Sequence, residues 1–413
     1  MRRIAWILLL LLAFAIPWEY SLDLGEPFGN VARILGLLLL LAAVPAVLQA
    51  GRLRTPGAMQ WLVLALYLWL CCTYFWTIDP AATLGKIRAY FQEMMIVWLV
   101  WEFAESPEDL RGLLRAYVAG SWVLAALTLA NFGSPEAVSA GQMRFAAYGQ
   151  DPNDVARFLD LGFPFAALLL ASEPRWPARW LALGYLPLGL FAVLLTASRG
   201  GFLAALIALA GCGVLLLRGR GGAALAAVFA LPLAGAALWL AIPPEIFARL
   251  ATIPEQLQSG DLNQRLNIWS AGWHAFTQAP LFGTGSGTFV SAAGLAAMDT
   301  AHNTALAFLV EGGLCALSLA MSIVTLAAFA VLGTRGTLRT ALATAMLVWL
   351  IASQVATVEE SRATWLLLAL VALARRLAEE QPEQLDACFR ADARRFGVPH
   401  PQASVESMPG SVG

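Results

Sequence analysis

The sequence predicts an all-α integral membrane protein of about twelve transmembrane helices, with an extracytoplasmic loop of two short amphipathic helices between helices nine and ten. Three observations carry that prediction. Hydrophobic residues make up 59% of the 413 and charged residues only 13%, and mean hydropathy is +0.70, outside the range of a soluble globular chain. Apolar runs recur at the length of roughly 20 residues needed to cross a hydrocarbon core of ~30 Å. The basic residues fall in the gaps between those runs in a pattern that fits one membrane orientation.

Taken in order, the runs lie near 4–18, 31–49, 59–77, 87–103, 112–131, 153–171, 178–196, 199–217, 222–242, 303–332, 338–357 and 361–377. The first is short and starts with Arg2 and Arg3, as a signal peptide does. No small-residue cleavage site follows Pro17-Trp18-Glu19-Tyr20, and it reads as a retained helix. The run at 303–332 is long enough to span with tilt or to extend beyond the bilayer.

With the N-terminus taken as cytoplasmic, 17 of the 26 Lys and Arg residues fall inside and nine outside. Each short inner loop carries a basic pair, among them Arg52/Arg54, Arg111/Arg115 and Arg335/Arg339. Both termini are then cytoplasmic and the long polar segment faces outward. The expected organisation is a membrane domain over 1–377 that includes an extracytoplasmic catalytic loop at 242–302, and a cytoplasmic tail at 378–413 that starts as a helix and ends disordered. The five cysteines lie in spans or tail, so no disulfide framework is suggested. The net charge of −1 gives no argument for nucleic acid, and none is expected as a partner.

Cations at the outer face run against the orientation rule and therefore invite a functional reading. Arg199 sits in Thr196-Ala197-Ser198-Arg199-Gly200-Gly201, the only break between two apolar helices. Ser198 is the expected N-cap, which leaves Arg199 in the first turn beside the positive end of the helix dipole. An anion such as phosphate would relieve that arrangement, meeting free backbone N–H groups and a forked guanidinium together. Snorkelling of the side chain to the headgroups is the alternative. Arg249, in the loop, reads as a solvated charge.

Residues 148–156 include Asp151-Pro152-Asn153-Asp154. Capping by Asp151 with Pro152 at the first helical position explains those two. It does not explain Asn153 and Asp154 entering an apolar stretch, and a polar contact to sugar is the functional reading of Asn153.

The outer segment divides by pattern. Apolar positions at 246, 247, 250 and 253 predict a short interfacial helix ended by Pro254. Leu266, Ile268, Trp269, Trp273 and Phe276 predict a second over 263–278, opened by Arg265 and carrying its apolar residues mainly on one face. The run Gly283-Thr284-Gly285-Ser286-Gly287 lacks the Lys-Ser/Thr ending of a phosphate loop. As a hinge or close-approach turn it needs no ligand.

His302 is one of three histidines and lies where the next apolar helix begins. Its ordinary pKa of ~6.5 suits a base acting on a hydroxyl near neutral pH. Glu311 follows about 2.5 turns later, at ~3.6 residues per turn. A carboxylate inside a span is costly, and an outer Arg is its expected partner. His274 reads as surface packing.

Four blocks together resemble the O-antigen ligase and O-antigen polymerase-related membrane glycosyltransferases, over about residues 140–320. They are Asp-Pro-Asn-Asp at 151–154, Ser-Arg-Gly at 198–200, Arg265…Trp269 leading to Pro280-Leu281-Phe282-Gly283-Thr284-Gly285, and His302-Asn303…Glu311-x-Gly313. Ala316 departs from the pattern where a glycine is expected. The resemblance implies a glycan donor on undecaprenyl pyrophosphate at the outer leaflet of the bacterial inner membrane. It implies that Arg199 and Arg265 bind the pyrophosphate and that His302 deprotonates the acceptor hydroxyl for an inverting displacement. Asn153, Asn303, Lys86, Arg88, Arg144, Glu311 and Arg362 are the further substrate-binding candidates. No metal site and no cofactor are expected, because no outer cluster has ligand spacing and arginines can neutralise a diphosphate.

The single long outer segment favours a ligase, which transfers a finished chain to a lipid A core sugar hydroxyl. A polymerase or a protein O-glycosylation ligase using the same donor follows behind. A transporter or flippase for a lipid-linked glycan would show internal repeats and mid-membrane charges, and the sequence shows neither pattern. Membrane lipids are the remaining expected partners.

Overall fold

The computed structural model describes residues 1–25, 29–134, 144–173, 175–218, 241–258, 264–296 and 299–390. Among them the regular structure is helical, apart from one isolated bridge between Asp23 and Asn30. The long helices are α1 (Arg2–Ala15), α2 (Val31–Ala50), α3 (Ala58–Cys72), α4 (Pro80–Phe103), α5 (Pro107–Phe132), α6 (Pro152–Ser172), α7 (Trp176–Leu195) and α8 (Arg199–Arg218). Four short helices follow: α9 (Pro244–Ala251), α10 (Ile253–Gln258), α11 (Arg265–Gln278) and α12 (Phe289–Ala292). The chain then re-enters the bundle with α13 (Thr304–Gly333), α14 (Gly336–Ser353) and α15 (Arg362–Glu380), and α16 (Pro382–Phe389) follows.

Nine of the described helices are long and apolar enough to cross a membrane: α1, α2, α3, α5, α6, α7, α8, α13 and α14. The protein is therefore a multi-pass, all-helical membrane protein. α4 and α15 coincide with the expected spans at 87–103 and 361–377 but are more polar. The expected span at 222–242 falls almost wholly outside the described residues.

Local sequence sets the helix starts. Asp79 and Asp151 accept from Ala82 N–H (3.0 Å) and Asn153 N–H (2.7 Å), each followed by a proline at the first helical position. Ser106 and Asp109 form a capping box on α5. These caps satisfy backbone donors that have no partner within the helix.

α6 and α15 are the buried pillars. α6 packs against α5, α7, α8 and α14, and 89% of its apolar window is inside the protein. α15 packs against α4 and α13, and its side chains from Arg362 through Ala374 are buried. Its low apolarity is tolerated because it meets protein rather than lipid.

Two expectations about the outer segment change, and the tail starts as a helix. Pro254 does not end the first interfacial helix; the break falls at Thr252, and Pro254 stands in the first turn of α10, where a missing N–H costs nothing. α11 buries only part of its apolar side. Ile268, Gly272 and Ala275 are buried, with Ile268 and Ala275 in a cluster with Leu306 and Val310 of α13, while Leu266 and Trp273 are exposed. Trp269 and Phe276 are half-buried against the same cluster. In the tail, α16 buries Leu385 and Phe389 against the bundle, and the Phe389 carbonyl accepts from Thr337 Oγ1 at 2.5 Å. Residues 391–413 lie outside the described residues.

Candidate functional site: an arginine-lined cavity and a histidine at one end of the bundle

The break between α7 and α8 builds the site. Ala197 has φ +48, a left-handed conformation that side-chain-bearing residues seldom adopt. Next to it, the Ala197 carbonyl accepts from Arg249 Nε at 3.1 Å and the Thr196 carbonyl from Arg144 Nε at 3.1 Å. Arg199 Nε donates to the Arg249 carbonyl at 3.4 Å. Ser198 Oγ caps α8 by accepting from Gly201 N–H (3.2 Å) and donates to Asn153 Oδ1 at 2.8 Å. The same Asn153 oxygen accepts from Arg144 Nη2 at 2.9 Å. Asn153 is thus the joint between the 151–154 and 198–200 blocks, which explains a polar residue at that depth.

Four arginines, Arg144, Arg199, Arg249 and Arg265, line one cavity of about 120 Å³ together with Asn153 and Ser198. Burial holds the Arg144 and Arg249 guanidiniums below the ordinary arginine range. Neighbouring arginines push the same way: Arg249, Arg199 and Arg265 on Arg144, and Arg199 on Arg249. Burial likewise lowers Arg265, with Asp151 opposing. Cations gathered so closely repel one another unless an anion joins them. Their forked donors match phosphate oxygens. Arg249 is the member that reading the sequence missed. Its signal was the placement of Ile246 and Leu250, both buried, which turns that side of α9 toward the bundle.

His302 is half-buried at the mouth of α13, also with positive φ (+46), and its Nδ1 lies 3.2 Å from Thr300 Oγ1. It does not line the cavity but lies within its electrostatic reach. Burial holds its pKa below the usual histidine value, the Arg265 charge adds to this, and Asp151, Asp299 and Asp154 oppose. The 265…269 spacing explains the proximity. Trp269 Nε1 donates to the Ala301 carbonyl at 3.1 Å, and Arg265 sits one turn earlier on α11. Gln264, just before Arg265, has φ +64. Among the described residues the non-glycine positions with positive φ are Ala197, Gln264 and His302, one at each of the three site segments. Such strain, of order 1–3 kcal/mol per residue, tends to gather at functional sites.

The other candidates lie away from the cavity wall. Asn303 caps α13 through Leu306 N–H (2.9 Å) and donates to the Gln354 carbonyl at 3.4 Å. Arg362 is paired with buried Glu19 and donates to Gln92 Oε1 at 3.2 Å. Arg88 is exposed on α4. Lys86, the one lysine in the sequence, binds Glu311 Oε1 at 3.5 Å and also pairs with Glu360. The partner of Glu311 is therefore Lys86 of α4 and not an outer arginine: Glu311 lies inside the bundle, level with the first turns of α4, where an ammonium on a long stem reaches it.

Glu311 also marks a break in α13. Gly313 (φ +68, ψ −165) splits the helix, and the 280–287 loop repairs the cut. Thr284 and Gly285 N–H groups donate to the Val310 (2.9 Å) and Glu311 (3.0 Å) carbonyls, while Leu314 N–H reaches the Pro280 carbonyl at 2.9 Å. Gly287 N–H donates to Glu311 Oε2 at 2.8 Å, and Trp69 Nε1 to the Gly312 carbonyl at 2.9 Å. Backbone polar groups freed at a break in a span need partners of this kind. The glycine run is thus a close-approach turn. A Cβ on Gly283 would strike the Glu311 carbonyl, and one on Gly313 the Leu281 carbonyl. Gly283→Val is expected to cost at least about 2 kcal/mol through a positive-φ valine and the clash. A purified variant melting with the parent would contradict this docking. Ala316, the departure from the family pattern, is fully buried beneath Gly312.

Fold and site define a multi-pass membrane protein with a cationic cavity and a helix-mouth histidine at one end. Residues 184–321 of this multi-pass membrane protein match the protein-family model described as O-antigen ligase, so that segment, about a third of the chain, is similar to the O-antigen ligase family. The matched segment contains Arg199, Arg249, Arg265, His302 and Glu311, whereas Arg144 and Asn153 precede it. A comparison with curated proteins gives no match.

Proposed function

We propose that the protein is an inverting O-antigen ligase that transfers a glycan from undecaprenyl pyrophosphate to a lipid A core sugar hydroxyl. The reaction would take place at the periplasmic face of the bacterial inner membrane, with both chain termini cytoplasmic. The observation that carries this reading is the convergence of four arginines on one cavity beside a histidine whose pKa is depressed. His302 takes the proton from the acceptor hydroxyl. The acceptor oxygen attacks the anomeric carbon from the side opposite the departing pyrophosphate, which leaves with the bonding electron pair. Arg199 and Arg265, with Arg144 and Arg249, stabilise the charge that develops on that leaving group. In this reading the guanidiniums supply the charge a divalent ion provides elsewhere, so the rate should be unaltered by a metal chelator.

The test is transfer by the purified protein in nanodiscs, with a lipid-pyrophosphate glycan donor and rough lipopolysaccharide as acceptor, products being separated by gel. Glycan joined to lipid A core supports a ligase. Elongation on the lipid carrier alone would make the protein a polymerase. Transport of intact donor across the bilayer with no new glycosidic bond would sink the enzyme reading.

A further inference from the structure

A second cavity opens at the opposite end of the bundle, between α3, α13 and α15, and encloses about 630 Å³. That is within the range of roughly 300–1,000 Å³ usual for ligand sites. Its walls have two characters. The C-terminal part of α13 contributes Leu326, Phe329 and Leu332, the last two 65% and 62% exposed on the surface that faces lipid in a membrane-embedded bundle. The opposite wall offers donors. Gln60 is fully buried, and its Oε1 accepts from Gly57 N–H at 3.0 Å, which fixes the amide and leaves Nε2 with no partner. Gln60 stands in the first turn of α3, a 15-residue helix whose N-terminus opens on the same cavity.

Two arginines complete the wall. Arg376 is buried, with its guanidinium 4.6 Å over the Trp101 ring, Nη1 on the Trp101 carbonyl at 2.7 Å and Nη2 on the Ala104 carbonyl. Its Nε has no hydrogen-bond partner, the Glu380 carboxylate lying 3.7 Å away. Arg375 pairs with Glu379 at 2.6 Å and lies directly over Gly333, where any Cβ would collide with its guanidinium. The lining therefore holds two cations, one engaged anion and a stranded amide donor, beside an apolar face.

We propose that this cavity binds an anionic glycerophospholipid of the adjoining leaflet. The phosphate sits against Arg375 and the Gln60 Nε2 donor, in the field of the buried Arg376 charge, and the acyl chains lie along Phe329 and Leu332. Basic pockets between helices recognise acidic headgroups in this way. A zwitterionic lipid fits less well, because the one carboxylate in the wall is already held by Arg375. The inference rests on the fold alone and is independent of the reaction at the far end.

Native mass spectrometry of the protein in detergent reads it out, with phosphatidylglycerol and phosphatidylcholine added at equal concentration. Retention of phosphatidylglycerol by at least tenfold over phosphatidylcholine is expected. Gln60→Glu keeps the capping oxygen but replaces the donor with an acceptor, and should bring that preference close to one. Arg375→Ala, at a side chain 43% exposed, should cut it several-fold while leaving the lipid-free melting temperature unchanged, so a failure of Gln60→Glu to fold does not remove the test. Equal retention of the two lipids, or an unchanged preference in Arg375→Ala, overturns the proposal. Binding of glycerol 3-phosphate as tight as that of phosphatidylglycerol overturns the lipid source in favour of a soluble phosphate.

Discussion

Replacing His302 with alanine is expected to lower kcat/KM for glycan transfer by about 10²–10⁴-fold, the usual contribution of a positioned general base. Binding of the donor should survive, because the cavity wall does not include His302. The pH profile sharpens the test. A base works when unprotonated, and burial together with Arg265 holds this one below the ordinary histidine value of 6.5. Activity should therefore be full at neutral pH and fall only as pH drops below that value. Arg265→Gln removes one of the depressing charges, so its acid limb should move toward higher pH. A His302→Ala protein as active as the parent, or an acid limb that ignores Arg265, would refute the assignment.

The second large effect is expected at the arginines. Arg265→Ala and Arg199→Ala should each lower kcat/KM by about 10²–10³-fold, because on the proposed mechanism each removes a charge that stabilises the leaving group as it ionises. The Lys variants should recover part of that but not all, since an ammonium cannot offer the bidentate fork. The Arg265 charge depresses His302, so Arg265→Ala should move the acid limb toward higher pH as well as lower the rate. Loss of activity that Lys restores fully at both positions would mean that only diffuse positive charge is required.

Much of this was legible in the sequence, for reasons that can be traced to particular residues. Apolar run length located α1, α2, α3, α5 and α6, because lipid demands a minimum of continuous apolar surface. Asp151-Pro152 announced the start of α6, and Ser198 the start of α8, because caps act locally. Arg199 and Arg265 stood out because each opens a helix with the wrong sign of charge for its dipole. What stayed hidden was everything set by tertiary approach. Lys86 and Glu311 are 225 positions apart, and nothing in their local sequence names one as the partner of the other. The glycine run gave no sign that it would stitch a broken helix, since the break at Gly313 lies in a different segment. Arg249 reads as a loop charge because its acceptor, the Ala197 carbonyl, lies 52 positions away, and the apolar spacing of Ile246 and Leu250 is the one local hint of its side.

α15 raises a question of biogenesis. It carries Arg362, Arg375, Arg376, Glu379 and Glu380, is not apolar enough to count among the membrane-crossing helices, and is buried along nearly all its length. A segment so charged should partition poorly into lipid by itself. Its insertion then depends on earlier helices already waiting, with Glu19 ready for Arg362 and Trp349 ready for Thr364. The last long helix among the described residues would thus enter as a guest of the assembled bundle, late and by tertiary contact. Grafted alone into a host membrane protein, residues 362–380 should stay largely untranslocated; efficient solitary insertion would show that the neighbours are not required.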